Sequence, residues 1–342
     1  EQRFEAPSAQ KLYLKLERGR FYAMFGDYQT GLNVTDLGRY NRIFTGLKAE
    51  YAGERYGFTG FATNTDLDHA RDELPGDGTS GLYRLSHTQI VVNSGRVRIE
   101  VRDRFRTELV VSTRTLSQYL DYSIDYLSGT IFFRQPVASR DENFNPQIIV
   151  AEYETIGGSK SVTAGGRGSV KLPGQHLELG ATVVEQGATA GNTLLAGLDM
   201  RWDASANTRL RAELAHSNSQ DLLRGQADAY LAEMQHVSKR VDTRVYLRDQ
   251  QPGFGLDQQL SLDAGARRVG ADGRFKFSEF WNLRGETYRQ EVLTTGAQRD
   301  LANLELNRDD ARHTLNMGLR YVADQTAQNI TQVSEQAYLG GS

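Results

Sequence analysis

Residues 194–202, Leu-Leu-Ala-Gly-Leu-Asp-Met-Arg-Trp, decide the fold class of this chain. Every second residue from Leu194 is apolar, while Asp199 and Arg201 occupy positions between them. Successive side chains of a β-strand point to opposite faces, so the stretch presents one apolar and one polar face. This alternation predicts a half-buried strand. The apolar positions are Leu194, Ala196, Leu198, Met200 and Trp202.

The same two-residue period extends in both directions from this stretch. It recurs at residues 209–214, 241–248, 258–267 and 314–321, and N-terminal strands are predicted at residues 11–17, 20–26, 46–52 and 56–63. Residues 228–237 could form a short amphipathic helix through Ala229, Leu231 and Met234, but strands flank them, and we predict a strand there too. About fifteen strands result, and because bacterial single-chain barrels have even counts we expect one to be missing or miscounted at the N-terminal end.

The connections between these strands alternate in length. Short joins are predicted at residues 18–19, 53–55, 173–174, 203–207, 238–240, 269–273 and 307–312. Long joins are predicted from the end of the second strand to Phe44 and at residues 186–193, 217–226, 249–257, 289–297 and 323–330. Outer-membrane barrels have short turns on one side and longer loops on the other. The chain is therefore predicted to be all-β, an antiparallel up-and-down transmembrane β-barrel of about 14–16 strands with an inserted small β-domain.

Composition agrees with this fold class and excludes others. Of 342 residues, 39% are hydrophobic and 24% charged, and no stretch reaches the roughly 18–20 apolar residues of a transmembrane helix. Low mean hydropathy suits a barrel, because only alternate residues of its strands face lipid. The absence of cysteine excludes disulfides and thiolate metal sites. A net charge of −3 gives no sign of a nucleic-acid partner.

The alternation of joins also predicts the domain organisation. Residues 1–63 form the first barrel strands, residues 64–161 a β-domain inserted on the long-loop side as cap, plug or partner module, and residues 162–339 the remaining barrel strands. Residues 340–342, Gly-Gly-Ser, are expected to be a linker remnant. Because Glu1 to Gln10 is polar and unlike a signal peptide, we expect a mature or trimmed product, excised from something longer.

Within the insertion, residues 121–133 read Asp-Tyr-Ser-Ile-Asp-Tyr-Leu-Ser-Gly-Thr-Ile-Phe-Phe, a strand, a glycine turn and a second strand. Residues 135–137, Gln-Pro-Val, and an Asn145-Pro146 turn follow. This segment resembles the β-modules with a D-Y-x-I-D-Y-x-x-G-x-I-x-F pattern in large outer-membrane and cell-surface proteins, including the barrel of the type IX secretion translocon. The resemblance implies a role in secretion or surface machinery and assigns no functional residues.

No catalytic, cofactor or metal site is predicted, and we do not expect an enzyme. The acidic residues 66–73, with Asp77, could supply oxygen ligands to calcium but lack a calcium-loop spacing, and a solvated loop is the competing interpretation. The six histidines show no metal-ligand spacing, and residues 76–81 match neither a phosphate loop nor a nucleophile elbow, so a turn is expected. The histidines are His69, His87, His176, His216, His236 and His313.

The polar strand faces hold more basic than acidic residues. If they line a lumen, its basic walls favour anions. The competing interpretation is a ladder of cross-strand ion pairs that stiffens the interior. The possible lumen-lining residues are Arg201, Arg209, Arg211, Arg244, Arg248, Arg267, Arg284 and Arg320.

Two functions remain open from the sequence. The first is a passage, or a component of a secretion or surface-assembly machine, in the outer membrane of a Gram-negative-type bacterium. Its expected partners are the lipid bilayer, lipopolysaccharide and other envelope proteins, and the inserted domain would gate the passage or bind a partner. The second is a soluble extracellular β-rich structural or adhesion protein. Aromatic residues near strand ends favour membrane girdles and hence the first; these are Trp202, Tyr288, Tyr321 and Tyr338.

Overall fold

A computed structural model describes residues 13–341, with gaps at 66–67, 103–109, 142–144, 157–160, 173, 175, 188–190, 221–224, 257–264, 311–313 and 329. Its first strands are β1 (Leu14–Arg18), β2 (Phe21–Gln29), β3 (Ile43–Ala52) and β4 (Tyr56–Thr65). The insertion contributes β5 (Asp68–Pro75), β6 (Tyr83–Arg84), β7 (Arg96–Arg102), β8 (Val110–Thr115), β9 (Tyr122–Asp125), β10 (Thr130–Phe133) and β11 (Gln147–Thr155).

The remaining strands follow in an unbroken series. They are β12 (Ser161–Leu172), β13 (Leu177–Gln186), β14 (Thr193–Ser205), β15 (Thr208–Ser219), β16 (Gln226–Val237), β17 (Val241–Gln250), β18 (Ala266–Lys276), β19 (Trp281–Val292), β20 (Gln298–Asp309), β21 (Thr314–Gln325) and β22 (Thr331–Gly341). Gly340 and Gly341, expected to belong to a linker remnant, lie in the last strand. Among the described residues, no helix is long and apolar enough to cross a membrane.

One sheet contains fifteen of these strands in chain order, β1 to β4 and then β12 to β22, and every neighbouring pair is antiparallel. This confirms the predicted all-β, antiparallel up-and-down fold and its strand number. Because the number is odd, the two edge strands β1 and β22 run in the same direction. In the described part of the chain these two edges are not hydrogen-bonded to each other.

The lengths of the connections alternate, as predicted. Short ones are residues 19–20, 53–55, 173–176, 206–207, 238–240, 277–280 and 310–313. Long ones are residues 30–42, 66–160, 187–192, 220–225, 251–265, 293–297 and 326–330. Residues 228–237 lie in β16, which confirms the strand over the competing helix.

The short turn predicted at residues 269–273 is wrong, because these residues lie in the middle of β18 and the turn follows Lys276. The apolar residues at even positions from 260 to 266 suggested a strand before residue 269. Residues 257–264 lie outside the described residues. Within β18 the apolar positions are instead odd, at Val269, Ala271 and Phe275, so the sequence pattern changes phase near Gly265, which has φ +78.

The strand register brings like residues together on each face of the large sheet. Leu198 lies between Ala181 and Leu214, and the adjacent Asp199 lies between Gly180 and Glu213. Repetition across the sheet produces an apolar face, here defined by one residue per strand. These are Leu16, Phe25, Leu47, Phe58, Val162, Val183, Leu198, Leu214, Tyr230, Leu247, Val269, Leu283, Leu304, Leu319 and Leu339.

The opposite face of the sheet is termed the charged face. Residues 30–42, termed the plug loop, lie against it and contact strands that are far apart in the sheet order. Leu37 and Tyr40 are buried in one cluster with Phe61 of β4 and Leu195 of β14. Phe254 of the connection 251–265 joins the same cluster. The sheet therefore curves around the plug loop, and its charged face is the inside.

The insertion folds into two small sheets with their own core. One has the strand order β6-β10-β9 and the other β5-β11-β7-β8. Tyr83, Ile131 and Phe133 of the first sheet share a buried cluster with Ile149 and Tyr153 of the second. The strand–turn–strand predicted in residues 121–133 is confirmed as the β9–β10 hairpin, in which Thr130 pairs with Asp125.

Candidate functional site

The interior of the curved sheet is the candidate site, and the structure brings seven of the eight predicted lining arginines to it. Arg267 does not belong to this set. It extends from the apolar face, where it pairs with Asp249 at 2.7 Å. Its neighbour Arg268 occupies the interior position, because β18 has the opposite phase to the predicted strand. The seven interior residues are Arg201, Arg209, Arg211, Arg244, Arg248, Arg284 and Arg320.

Most charges on this face are paired across strands. Arg201 contacts Glu178 at 2.6 Å, and Arg244 contacts Asp272 at 3.1 Å. Arg167, whose side chain is almost completely buried, pairs with the Asp199 carboxylate. A buried charge requires such a partner, since the desolvation penalty is otherwise several kcal/mol. The ion-pair ladder is therefore present over much of the interior.

Two arginines differ from the rest. Within the described part of the chain, neither Arg248 nor Arg284 has a hydrogen-bond or ion-pair partner. Arg248 is half-buried and Arg284 is exposed.

Glu213 of β15 holds the plug loop to the wall. Its carboxylate accepts hydrogen bonds from the backbone N–H groups of Asp36 at 2.9 Å and Leu37 at 2.8 Å, and the side chain is only 2% exposed. Arg211 pairs with the Asp36 carboxylate at 2.6 Å. Charge-assisted bonds to backbone amides are among the stronger hydrogen bonds in proteins, and here they fix the loop in one orientation.

Arg42 joins the other end of the plug loop to the inserted domain. Its guanidinium donates to both carboxylate oxygens of Glu154 on β11, at 2.9 and 2.7 Å, and lies 4.5 Å from the ring centroid of Phe44. Burial alone would lower the pKa of Arg42, but Tyr40 and Glu154 outweigh it and raise that pKa. The Arg42 guanidinium therefore stays protonated at physiological pH, and the pair Arg42–Glu154 is termed the latch.

The inserted domain carries a second charged network, on β5, β7 and β11. Arg102, with a side chain 5% exposed, pairs with Glu73 and Glu100, both at 2.8 Å. Burial alone would raise the pKa of the Glu73 carboxyl, but hydrogen bonds and charge from Arg102 and Arg71 lower it overall. Burial and the nearby positive charges of Arg71 and Arg98 lower the pKa of Arg39 in the plug loop.

The acidic segment predicted as a loop at residues 66–73 is, from Asp68 onward, part of strand β5, so that prediction is wrong. Residues 66 and 67 lie outside the described residues. Its carboxylates bond to protein donors: Asp72 accepts from the Tyr153 hydroxyl at 2.6 Å, and Glu73 accepts from Arg71. No three acidic, histidine or cysteine side chains of the described residues converge as metal ligands.

Aromatic residues border the apolar face on the short-turn side. Trp202 of the predicted girdle lies on this face near a short connection and is 42% exposed, whereas Tyr321, 41% exposed, lies on this face in the half of β21 toward the long connections. Tyr288 and Tyr338 do not, because their strand positions place them on the charged face. Four further aromatic residues that were not predicted as part of the girdle lie on the apolar face next to short connections, namely Phe21, Tyr51, Tyr56 and Phe275. Adjacency to a short connection was the available signal.

Ion pairs and a histidine–carboxylate hydrogen bond border the same face on the long-loop side. His216 meets Asp228 at 2.8 Å, and Arg289 meets Asp300 at 2.7 Å, in addition to the pair of Arg267. The apolar face is thus a band with an aromatic border below and a charged border above.

Comparisons with known proteins add likenesses to solved structures only. No family model matches the chain, and no curated protein does. The chain is similar to Pseudomonas aeruginosa OpdQ, with TM-score 0.40 and 10% identity, over 96% of this chain and 80% of OpdQ. It is also similar to Pseudomonas aeruginosa OccK11 (OpdR), with TM-score 0.40 and 9% identity, over 96% of this chain and 78% of OccK11. It is also similar to the P pilus usher (PapC) translocation pore, with TM-score 0.28, 13% identity and coverage of 96% and 87%. Likeness at this level assigns no function.

Proposed function

We propose that the chain is a β-barrel protein of the bacterial outer membrane that forms a passage or part of a secretion or surface-assembly machine, with the inserted domain as its gate. The apolar band supports this most. Its large side chains are open to the surroundings, with Leu198 61%, Leu214 52% and Leu319 64% exposed. Contiguous exposed apolar area of this extent is rare on soluble monomers. In a lipid bilayer these apolar side chains would contact acyl chains and not water.

The dimensions of the sheet fit a bilayer. Strand β2 has 9 residues, β13 has 10, β14 has 13 and β22 has 11. A tilted transmembrane strand needs about 9–11 residues. The aromatic and charged borders then lie at the two interfaces, and the charged border on the long-loop side suits the polar headgroups of lipopolysaccharide.

The latch supports the gating role of the inserted domain. Arg42 belongs to the plug loop, Glu154 to the inserted domain, and Glu213 to the wall, so movement of the inserted domain pulls on the loop that fills the interior. An open passage requires this loop to leave the charged face. The resemblance of residues 121–133 to modules of secretion and surface proteins further suggests that the inserted domain binds other envelope proteins.

The test is conductance in planar bilayers. Because Thr65 and Ser161 face each other as the final pair of β4 and β12, an Asn-Gly turn can replace residues 66–160 without breaking the sheet. We expect small currents from the full chain and larger, longer-lived openings from this variant. A full chain that is monodisperse without detergent, and that neither inserts nor conducts, contradicts the proposal.

A point substitution separates gating from the loss of a whole domain. Glu154→Gln removes the charge of the latch while keeping its shape, and we expect more frequent openings of the full chain. Glu54→Gln is the matched control, since Glu54 pairs with Arg20 on the surface with its side chain 82% exposed. Equal opening frequencies in the two variants contradict a gate held by the latch.

A further inference from the structure

The last strand of the large sheet, β22, has an open edge. One side of this strand is paired with β21 along all of its 11 residues. On the other side, no strand of the described residues pairs with it. Unpaired backbone groups are not tolerated where they face the hydrocarbon of a membrane, because no water is present there to replace the missing partner. A further strand is therefore needed along this edge.

The direction of β22 restricts which strand can fill the edge. β22 follows the long connection 326–330, so it runs from the long-loop side to the short-turn side, as β1 does. Contact of β22 with β1, which has 5 residues, or with either edge of a second copy in the same membrane orientation is therefore parallel. Neighbouring strands of outer-membrane barrels are antiparallel. Every described strand of the large sheet that runs the opposite way to β22 already has two neighbours.

A carboxylate, Glu335, lies on the apolar face of β22. It is exposed, and in the described part of the chain it has no hydrogen-bond or ion-pair partner. It stands four positions from the long-loop end of β22, roughly 13 Å along the strand, which its short side chain does not span. By contrast, Asp249 and Asp300 at the charged border of this face each pair with an arginine. Because acidic residues inside a membrane are rare and normally paired, a basic group is expected beside Glu335.

A groove of about 850 Å³ crosses the apolar face from β17 to β22. Small residues line it on β18 and β19, where Gly273 and Gly285 pair in register. On β22 it is lined by Glu335 and Ala337, next to the open edge. The Cβ atoms of directly opposite residues on neighbouring strands are about 4.5–5.5 Å apart. A large apolar side chain opposite Ala337 would therefore reach over the alanine into the groove.

We propose that the open edge of β22 binds a β-strand of a partner envelope protein. The partner strand runs from the short-turn side to the long-loop side, with a large apolar residue opposite Ala337 and, two positions later, a lysine or arginine opposite Glu335. The proposal deepens the proposed function and rests on it, since the apolar face is taken to lie in lipid. The charge of Glu335 and the direction of β22 together select the partner.

The test is binding of a synthetic strand to the full chain in detergent micelles, followed by fluorescence anisotropy. The probe is a labelled peptide as long as β22, with alternating apolar and polar residues, leucine opposite Ala337 and lysine opposite Glu335. A second peptide has glutamate in place of the lysine. We expect the lysine peptide to bind more tightly, and Glu335→Gln to lower this preference by roughly two- to fivefold. Glu54→Gln is the matched control, since Glu54 lies in the turn between β3 and β4, and leaves the preference unchanged.

Disulfide formation tests the direction of the bound strand. Because the chain has no cysteine, a peptide with a cysteine at its C-terminal end reacts only with a cysteine introduced into β22. We expect it to react with Val333→Cys, near the long-loop end of β22, and not with Leu339→Cys, near the short-turn end. Reaction with Leu339→Cys alone would mean a parallel strand and overturns the proposal.

Conduction in planar bilayers is measured separately from peptide binding. A full chain that conducts but binds neither peptide, or binds both equally, overturns the strand site and leaves the passage intact. A disulfide between two chains of the Val333→Cys variant, formed without peptide, also overturns it, because a second copy then occupies the edge. A chain that binds the lysine peptide as expected but never conducts contradicts the passage and not the strand site.

Discussion

Arg102 shows how a single residue ties the inserted domain together. Its guanidinium holds Glu73 and Glu100, which lie on different strands, and all three side chains are at most 8% exposed. The pKa of the Glu100 carboxyl is lowered like that of Glu73, since hydrogen bonds from Arg98 and Arg102 outweigh the opposing effect of burial. Removing one partner of such a network leaves buried charge uncompensated.

This gives a pH-dependent prediction. Carboxyls with a folded pKa below their ordinary 4.5 stabilise the fold fully above that pH, and the stabilisation is lost as the pH falls through their folded pKa. We expect Arg102→Gln to destabilise the inserted domain by about 3–5 kcal/mol at pH 7. The difference from wild type shrinks below pH 4.5, as protonation of the carboxyls weakens the network in both proteins.

Hydrogen exchange at the buried amides of β11, corrected for intrinsic rates, measures this stability. Arg96→Gln is the control, because Arg96 is exposed on the same strand, β7. An Arg102→Gln effect that is the same at pH 3 and pH 7 contradicts the account.

At this scale, side-chain positions could be predicted from the sequence where a strand has a clear two-residue period. Arg201 and Arg244 lie on the polar face as predicted, because their neighbours alternate without interruption. Arg267 was misplaced, because the phase of β18 shifts after Gly265. The contacts of Glu213 with the plug loop join residues 177 and 176 positions apart, and no local pattern encodes them.

At the scale of the strand, two adjacent residues of β20 have different surroundings. Leu304 lies on the apolar face near the middle of the strand, and Asn303 lies on the charged face beside Glu286 and Arg320. We expect Leu304→Arg to lower the free energy of unfolding in lipid by about 2–4 kcal/mol, the cost of a basic residue at the middle of a bilayer.

Asn303→Arg is the control, and we expect a much smaller effect, since the new side chain stays on the charged face, away from lipid. Denaturant unfolding in lipid vesicles measures both variants. An equal loss of unfolding free energy in the two variants would contradict the prediction, because it would mean that the two faces of β20 have similar surroundings.

Strand bounds and connections could largely be predicted at this scale. Alternation fixes a strand that is apolar on one face only, as residues 194–202 show, and the turn before β17 follows directly. The inserted domain was harder. Its strand β5 is rich in charged residues on a buried, ion-paired face, so its sequence looked like a solvated loop.

At the scale of the molecule, the odd number of strands that the described residues contribute to the large sheet constrains how this sheet can close. Open sheet edges are not tolerated in lipid, because unpaired backbone groups cost several kcal/mol each. The two edge strands run in the same direction, so direct contact between them is parallel. A strand that pairs antiparallel with both must run from the short-turn side toward the long-loop side.

The strand order could be predicted from the sequence, but the residues that fill the interior of the sheet could not. Alternating faces and alternating connections sufficed for the strand order and for placing residues 66–160 on the long-loop side. That the plug loop turns inward, and that Arg42 attaches it to the inserted domain, depends on contacts across the interior. Such contacts follow from curvature, which a strand pattern does not specify.

The central claim is that the apolar face meets lipid and the charged face does not. The chain has no cysteine, so single cysteines at each of residues 194–202 can carry a spin label in the full chain reconstituted into bilayers. We expect labels at the even positions, such as Leu198→Cys, to be reached by oxygen and shielded from a water-soluble nickel complex, and labels at the odd positions, such as Asp199→Cys, to lose that preference. Even positions that are as accessible to the nickel complex as an exposed loop would contradict the membrane barrel.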